Sequence, residues 1–211
     1  TVYINGLRWM AENLRYADSS ATVNLKGQMA CYGWAGRQVG GWGGDSLVSY
    51  PKNCEIGGAL YSWSAAVDLN AKWNDADASS LLSIRHQGIC PDGWHVPSSD
   101  EWIMFENNKF AFYQALGFAS WTNAVDDVGF SILPTGYYGK LMREYLNSEF
   151  IGIGNQARFW TASSGACASL AAFFVTSEYD EGINYGNDCW DSSSKRARFS
   201  VRCVEDDPVD P

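Results

Sequence analysis

Six cysteines, two histidines and a few carboxylate clusters are the residues of this chain whose chemistry could do more than pack. The cysteines stand at 31, 54, 90, 167, 189 and 203. None forms a Cys-x-x-Cys pair, and two histidines leave little material for a Cys/His zinc site. An even number of well-spread cysteines points instead to disulfides and an oxidising compartment. His95 lies in Gly-Trp-His-Val-Pro, where a general base would need a nucleophile beside it and the sequence supplies none. The simpler expectation is a structural histidine that hydrogen-bonds backbone near the start of a helix. His86 has no legible context. Asp126-Asp127 and the pair Asp75 and Asp77 could act as paired carboxylates, but solvated loop acids are the usual fate of Asp. No nucleophile elbow, phosphate-binding glycine loop or His-Glu-x-x-His occurs. The residues read as those of a non-enzyme.

The composition sets the frame that must hold them. The chain has 211 residues, 46% of them hydrophobic and 18% charged, which suits one globular domain. Ten Trp, eleven Tyr and ten Phe are a heavy aromatic load. Most should fill the core, and some could serve as surface platforms. The net charge of −9 repels phosphate backbones, so nucleic acid is not an expected partner. The one basic cluster, Lys195, Arg196 and Arg198, is too short to reverse that. No apolar run approaches the length of a membrane span. A secreted protein is expected, which supposes a leader that has been removed or that this sequence leaves out.

The positioning elements follow from local pattern. Residues 1–16 read as a hairpin about Asn5-Gly6. The glycine-rich stretch 17–58 reads as loop, bracketed for the most part by Cys31 and Cys54. Leu60, Trp63, Ala66 and Val67 have helical spacing within 59–69. Residues 71–88 read as irregular. Ser98 and Glu101 form a capping box for a helix that places Trp102 and Phe105 toward the core. A second helix is expected over about 109–116, ending at Gly117. Strands are expected at 129–134, 159–163, 171–175 and 199–204. The domain runs over 1–204, and 205–211 reads as an acidic, proline-containing tail.

Several blocks occur in order: Trp-Met-Ala-Glu-Asn-Leu at 9–14; Cys54 and then Gly-Ala-Leu-Tyr-Ser-Trp at 58–63; Cys-Pro-Asp-Gly-Trp-His-Val-Pro-Ser-Ser-Asp-Glu-Trp at 90–102; Gly-Phe-Ser-Ile-Leu-Pro-Thr-Gly at 129–136; Phe-Trp-Thr-Ala-Ser-Ser at 159–164; and Phe-Ser-Val-Arg-Cys-Val at 199–204. In these blocks the chain resembles the Fibrobacter succinogenes major paralogous domain family of bacterial surface and secreted domains. That family is similar to the C-type-lectin-like superfamily. The resemblance implies an α+β fold, with two helices packed on a twisted antiparallel sheet, long loops and neighbouring termini. Six cysteines permit 15 connectivities. The resemblance suggests three disulfides, Cys31–Cys54, Cys90–Cys203 and Cys167–Cys189.

Many C-type lectins bind sugar through calcium, which needs several convergent oxygens. Trp73-Asn74-Asp75 spells their triplet but lies before the capped helix rather than near the last strands, and its Glu-Pro-Asn companion is absent. Asn187, Asp188 and Asp191 stand nearer the right place. No cofactor is therefore expected, with calcium the one candidate. In such a fold, ligands meet the long loops between the later strands, here about 135–158 and 177–196. Tyr137, Tyr138, Tyr185, Asn187, Trp190 and Asp191 are the expected ligand-binding residues, since Tyr and Trp mixed with Asn and Asp suit adaptable contact. Packing the loops down is the other role open to the same rings. The reading is an extracellular, non-catalytic binding or adhesion module for a glycan or protein. A structural subunit of a bacterial cell-surface assembly is the alternative. An enzyme of the formylglycine-generating type, which would need reactive cysteines, is the third.

Overall fold

The computed structural model describes residues 1–32, 51–103, 129–139, 149–153, 156–164, 170–177, 183–186 and 193–206. The expected second helix at 109–116, and Phe105, lie outside these residues. So do Cys167 and Cys189.

The chain opens with a hairpin of β1 (Val2–Ile4) and β2 (Leu7–Trp9). Asn5 and Gly6 turn it at φ 52° and 81°, the paired left-handed geometry that an Asn-Gly turn supplies. Within the stretch expected to be loop, β3 (Met29–Cys31) and helix α1 (Pro51–Gly57) form. The segment expected to be helix over 59–69 divides instead into β4 (Ala59–Ser62) and a single turn α2 (Trp63–Ala66). The cause is pairing, because β4 lies between β3 and a later strand, and Ser62 then caps α2 by accepting from the Ala65 N–H. Two 3-10 turns, Ala71–Asn74 and Ser79–Leu81, shape the next stretch. Strand β5 (Trp94–His95) leads into helix α3 (Ser99–Ile103).

The capping box forms as expected. The Ser98 hydroxyl accepts from the Glu101 N–H at 3.3 Å, and the Glu101 carboxylate accepts from the Ser98 N–H at 2.7 Å. Trp102 is fully buried behind it.

Strands β6 (Tyr137–Gly139), β7 (Glu149–Ile151), β8 (Gln156–Ser164), β9 (Leu170–Ser177), β10 (Ile183–Gly186), β11 (Ser193–Ser194), β12 (Arg198–Phe199) and β13 (Val204–Glu205) complete the architecture. Among the described residues the strands form three antiparallel sheets, ordered β1-β2-β13-β5, β3-β4-β12-β6-β7, and β10-β9-β11 with β8 on the other side of β9. The chain is thus a mixed helix and sheet fold. Residues 129–134 make no ladder, because Gly129 and Ser131 take φ values of 72° and 49° that break the extended run. The last block pairs as a strand only at its ends, yet it keeps the period of two. Phe199, Val201 and Cys203 enter the main core, while Ser200 and Arg202 point the other way. Between the ends, its carbonyls at Val201 and Cys203 accept from the Leu14 and Met10 N–H groups.

Strand β8 lies between two cores. Phe159 enters a cluster with Trp9, Trp102 and Phe130, and Trp160 enters the main cluster with Tyr61, Trp63 and Phe199. Trp160 stacks on Phe199 with centroids 4.0 Å apart and donates to the Tyr61 carbonyl. The indole of Trp63 donates to the Thr161 carbonyl. Two disulfides close the frame, Cys31–Cys54 and Cys90–Cys203. The second spans 113 residues, which in the chain-entropy model raises the free energy of the unfolded state by about 5 kcal/mol. Glu205 and Asp206, read from sequence as the start of a tail, are built into the fold. Glu205 pairs with Arg8 at 2.8 Å, and the Asp206 N–H donates to the Gly93 carbonyl.

Candidate binding face

Strand β9 pairs with β8 through a register shift. On one side its Phe173 pairs with Trp160 of β8, and its Ala171 pairs with Ser164. Thr161, Ala162 and Ser163 therefore oppose Ala172 alone, which is a bulge. Their departure from the ladder has clear employment. Thr161 receives the Trp63 indole, the Ala162 N–H donates to the Pro97 carbonyl, and the Ser163 hydroxyl accepts from the Ser99 N–H.

On the other side of β9, Phe173 pairs with Gly186 of β10 and Ala171 with Ser193 of β11. Residues 187–192 join these two points. They contain three of the expected ligand-binding residues, Asn187, Trp190 and Asp191, which lie outside the described residues. Tyr185 is in β10, opposite Phe174. The pairings of β9 with β10 and with β11 thus end on either side of Ala172.

Tyr137 and Tyr138 are placed otherwise than expected. They belong to β6, not to a loop, and are only 6% and 9% exposed. Tyr137 meets Phe199 edge-on at 5.6 Å, under the guanidinium of Arg158 at 3.9 Å. Tyr138 packs on Phe150 at 5.2 Å, under Arg198 at 4.9 Å. Both sheet faces are covered at β6, so alternation buries both rings. Burial lowers the pKa of both Arg158 and Arg198, and the ring faces offset part of that cost.

The basic cluster of the sequence is dispersed in the same manner. Lys195 is fully buried, 4.2 Å above the Trp63 ring, and donates to the Ala76 carbonyl. Arg196 is exposed and pairs with Asp75 at 2.7 Å. Arg198 donates to the carbonyls of Met29 and Gly27. The Trp73-Asn74-Asp75 triplet has structural uses: Asn74 is buried, and its carbonyl accepts from the Ser64 N–H, while Asp75 holds Arg196. Among the described residues, no three His, Cys, Asp or Glu side chains lie together as a metal ion would require. Every described cysteine is bridged.

His95 is structural in its setting, but its partners are carboxylates rather than backbone. Its Nε2 lies 2.9 Å from Glu101 Oε1 and its Nδ1 lies 2.7 Å from Asp206 Oδ1. The other Glu101 oxygen is the capping-box acceptor. Burial works against the charged ring, but Glu101 and then Asp206 outweigh it and raise the histidine pKa above its usual value. Burial likewise pushes Glu101 upward, and His95 with the Ser98 N–H and hydroxyl more than reverses that. Both ring nitrogens are engaged and the side chain is 2% exposed, so the cluster ties β5, α3 and the chain exit together. The capping box made Glu101 legible in the sequence, and nothing there signalled Asp206.

Arg202 and Asn13 were also missed. Arg202 is buried over the Phe130 ring and donates through Nε and Nη2 to the Asn13 side-chain carbonyl, while the Asn13 amide donates to the Gly57 carbonyl. The available signal was the pair of polar residues set among apolar ones in each of two blocks, Glu12 and Asn13 in 9–14 and Ser200 and Arg202 in 199–204.

The model of the Fibrobacter succinogenes major domain family matches residues 2–205, and the chain belongs to that family. No curated protein and no solved structure matches the chain.

Proposed function

We propose that this member of the Fibrobacter succinogenes major domain family is an extracellular, non-catalytic binding or adhesion module on a C-type-lectin-like scaffold. Its ligand is a glycan or a protein, and its contact surface is Tyr185 with Asn187, Trp190 and Asp191. One observation carries this reading: residues 187–192 are joined at both ends to the same strand, through Gly186↔Phe173 and Ser193↔Ala171. A run of Trp, Asn and Asp whose flanking residues, Gly186 and Ser193, both pair with one strand supports contact at that place. The burial of Tyr137 and Tyr138 removes them from the surface and concentrates the proposal on this run.

The proposal includes a third bridge, Cys167–Cys189. Cys167 follows Ser164 and Cys189 precedes Ser193, and both serines pair with Ala171. Two disulfides also suit an oxidising compartment, and no helix among the described residues is long and apolar enough to cross a membrane. The disulfides support a secreted or surface location.

The test is a glycan array together with pull-down from the native envelope, run with the wild type and with Trp190→Ala. The wild type should retain a partner in at least one format, and the variant should bind about tenfold or more weakly, as expected for an aromatic hot spot. A variant that binds as well as the wild type would remove Trp190 from the site. Absence of any partner in both formats would overturn the binding reading.

A further inference from the structure

The two disulfides differ in what surrounds them. Cys90 and Cys203 are 4% and 0% exposed, and both belong to the main core cluster with Trp63, Trp160 and Phe199. Their backbones are tied as well: the Cys90 N–H donates to the Gln87 carbonyl, and the Cys203 carbonyl accepts from the Met10 N–H. A thiol reaches that pair only when the core opens, which costs close to the full stability of the fold. Cys31 and Cys54 lie at the margin. Cys31 ends β3, while Cys54 is half-buried in α1 and packs against the main core without entering it.

Helix α1 does not depend on this bond alone. The Asn53 side chain donates to the Tyr32 carbonyl at 2.7 Å, and the Gly57 carbonyl accepts from the Asn13 amide at 2.9 Å. Gly57 also sits flush against the Tyr32 ring and Thr135, where a Cβ would approach within 2.6 and 2.7 Å. These contacts fall on both sides of Cys54 in sequence. They hold helix and strand together whether or not the sulfurs are joined.

We propose that Cys31–Cys54 is a thiol-exchange site on the folded protein, open to a dithiol reductant that leaves Cys90–Cys203 intact. One thiolate of the reductant attacks the sulfur of half-buried Cys54. The S–S bond breaks, and Cys31 leaves as a thiolate that takes up a proton. The second thiolate of the reductant then attacks the mixed disulfide, releases Cys54 and closes the reductant's own disulfide. Two electrons and two protons pass to the protein. Accessible bonds are the ones that thiols open first, since the attacking sulfur must reach its target in line. The exchange needs no ligand at residues 187–192, so it fails or holds apart from the binding reading.

The experiment exposes the full chain to graded dithiothreitol, quenches with N-ethylmaleimide and reads each of the four cysteines in its own tryptic peptide. Cys31 and Cys54 should be labelled together, at least tenfold faster than Cys90 and Cys203. The amide resonances of Trp160 and Val201 should stay in place while this happens. Sub-denaturing urea separates local from global opening. It should leave the first rate nearly unchanged and raise the second steeply, because only the second needs the core exposed. Equal rates for the two pairs would overturn the proposal. So would a Cys31–Cys54 rate that climbs with urea as steeply as the other, or loss of the core resonances in step with labelling of Cys31 and Cys54.

Discussion

His95 Nδ1 lies 2.7 Å from the carboxylate of Asp206, so the strand before helix α3 is fastened to the chain just beyond β13. With Glu101 on the other ring nitrogen, the buried imidazole ring bridges two acids.

This arrangement predicts a stability plateau in pH. The raised histidine pKa means that its contribution is complete below the usual histidine value of 6.5 and is lost as pH rises through the folded value above it. The lowered Glu101 pKa means that its contribution is complete above the usual 4.5 and is lost as pH falls through the folded value below it. Both are present between those two values. Thermal melts across pH should show the plateau, and His95→Gln should abolish the alkaline decline. Parallel profiles for the two proteins would refute the assignment.

The two partners in the capping box should differ in cost. Ser98→Ala removes a cap and should cost about 1 kcal/mol. Glu101→Ala also strips a charge partner from buried His95 and should cost about 2–4 kcal/mol, discounted for the partial exposure of the cluster. Urea unfolding of each variant, with the double mutant, measures the difference; equal costs would mean that the histidine contact contributes nothing.

Trp160 should be the most sensitive single position of β8. It is fully buried, stacks on Phe199 and donates to the Tyr61 carbonyl. Trp160→Ala should cost about 3–5 kcal/mol. Trp160→Phe keeps a ring but leaves the Tyr61 carbonyl without this donor, for about 1–3 kcal/mol. A phenylalanine variant as stable as the wild type in denaturant titrations would show that the hydrogen bond is dispensable.

The bridges should rank by the loop each closes. Replacing Cys90 and Cys203 together by Ser frees a 113-residue loop, and should cost about 1–1.5 kcal/mol more than the same change at Cys31 and Cys54, which close 23 residues. Equilibrium unfolding of the two double variants gives the comparison. The reverse order would show that native-state strain or unfolded-state structure outweighs loop entropy.

The parts of the fold legible in the sequence were those coded by short-range chemistry. Asn5-Gly6 and Ser98 with Glu101 act within a few residues, and both formed as read. The stretch 59–69 misled because Leu60 and Trp63 fit helical spacing, while β4 answers to β3 and β12, distant in sequence. Residues 129–134 misled for a different reason: an apolar run does not reveal that Ser131 will take a positive φ. Tyr137 and Tyr138 looked like loop rings because the sequence cannot show that Arg158 and Arg198 cover them. The two disulfides followed the family resemblance, where counting alone left every connectivity open.

The pairing of Trp9 with Val204 has a mechanical meaning. Tension applied across the module enters through the first hairpin and leaves through β13, so it loads the β2–β13 contact directly and bypasses most of the molecule. If that contact ruptures, the Cys90–Cys203 bond becomes the load-bearing link and shields everything between those two residues from the pull. The Cys31–Cys54 bond keeps a further 23 residues from extending. The slack released is then roughly 230 Å, at about 3.5 Å for each extended residue. Beyond that length, a covalent stop limits how far the two sides of the β2–β13 contact can be drawn apart.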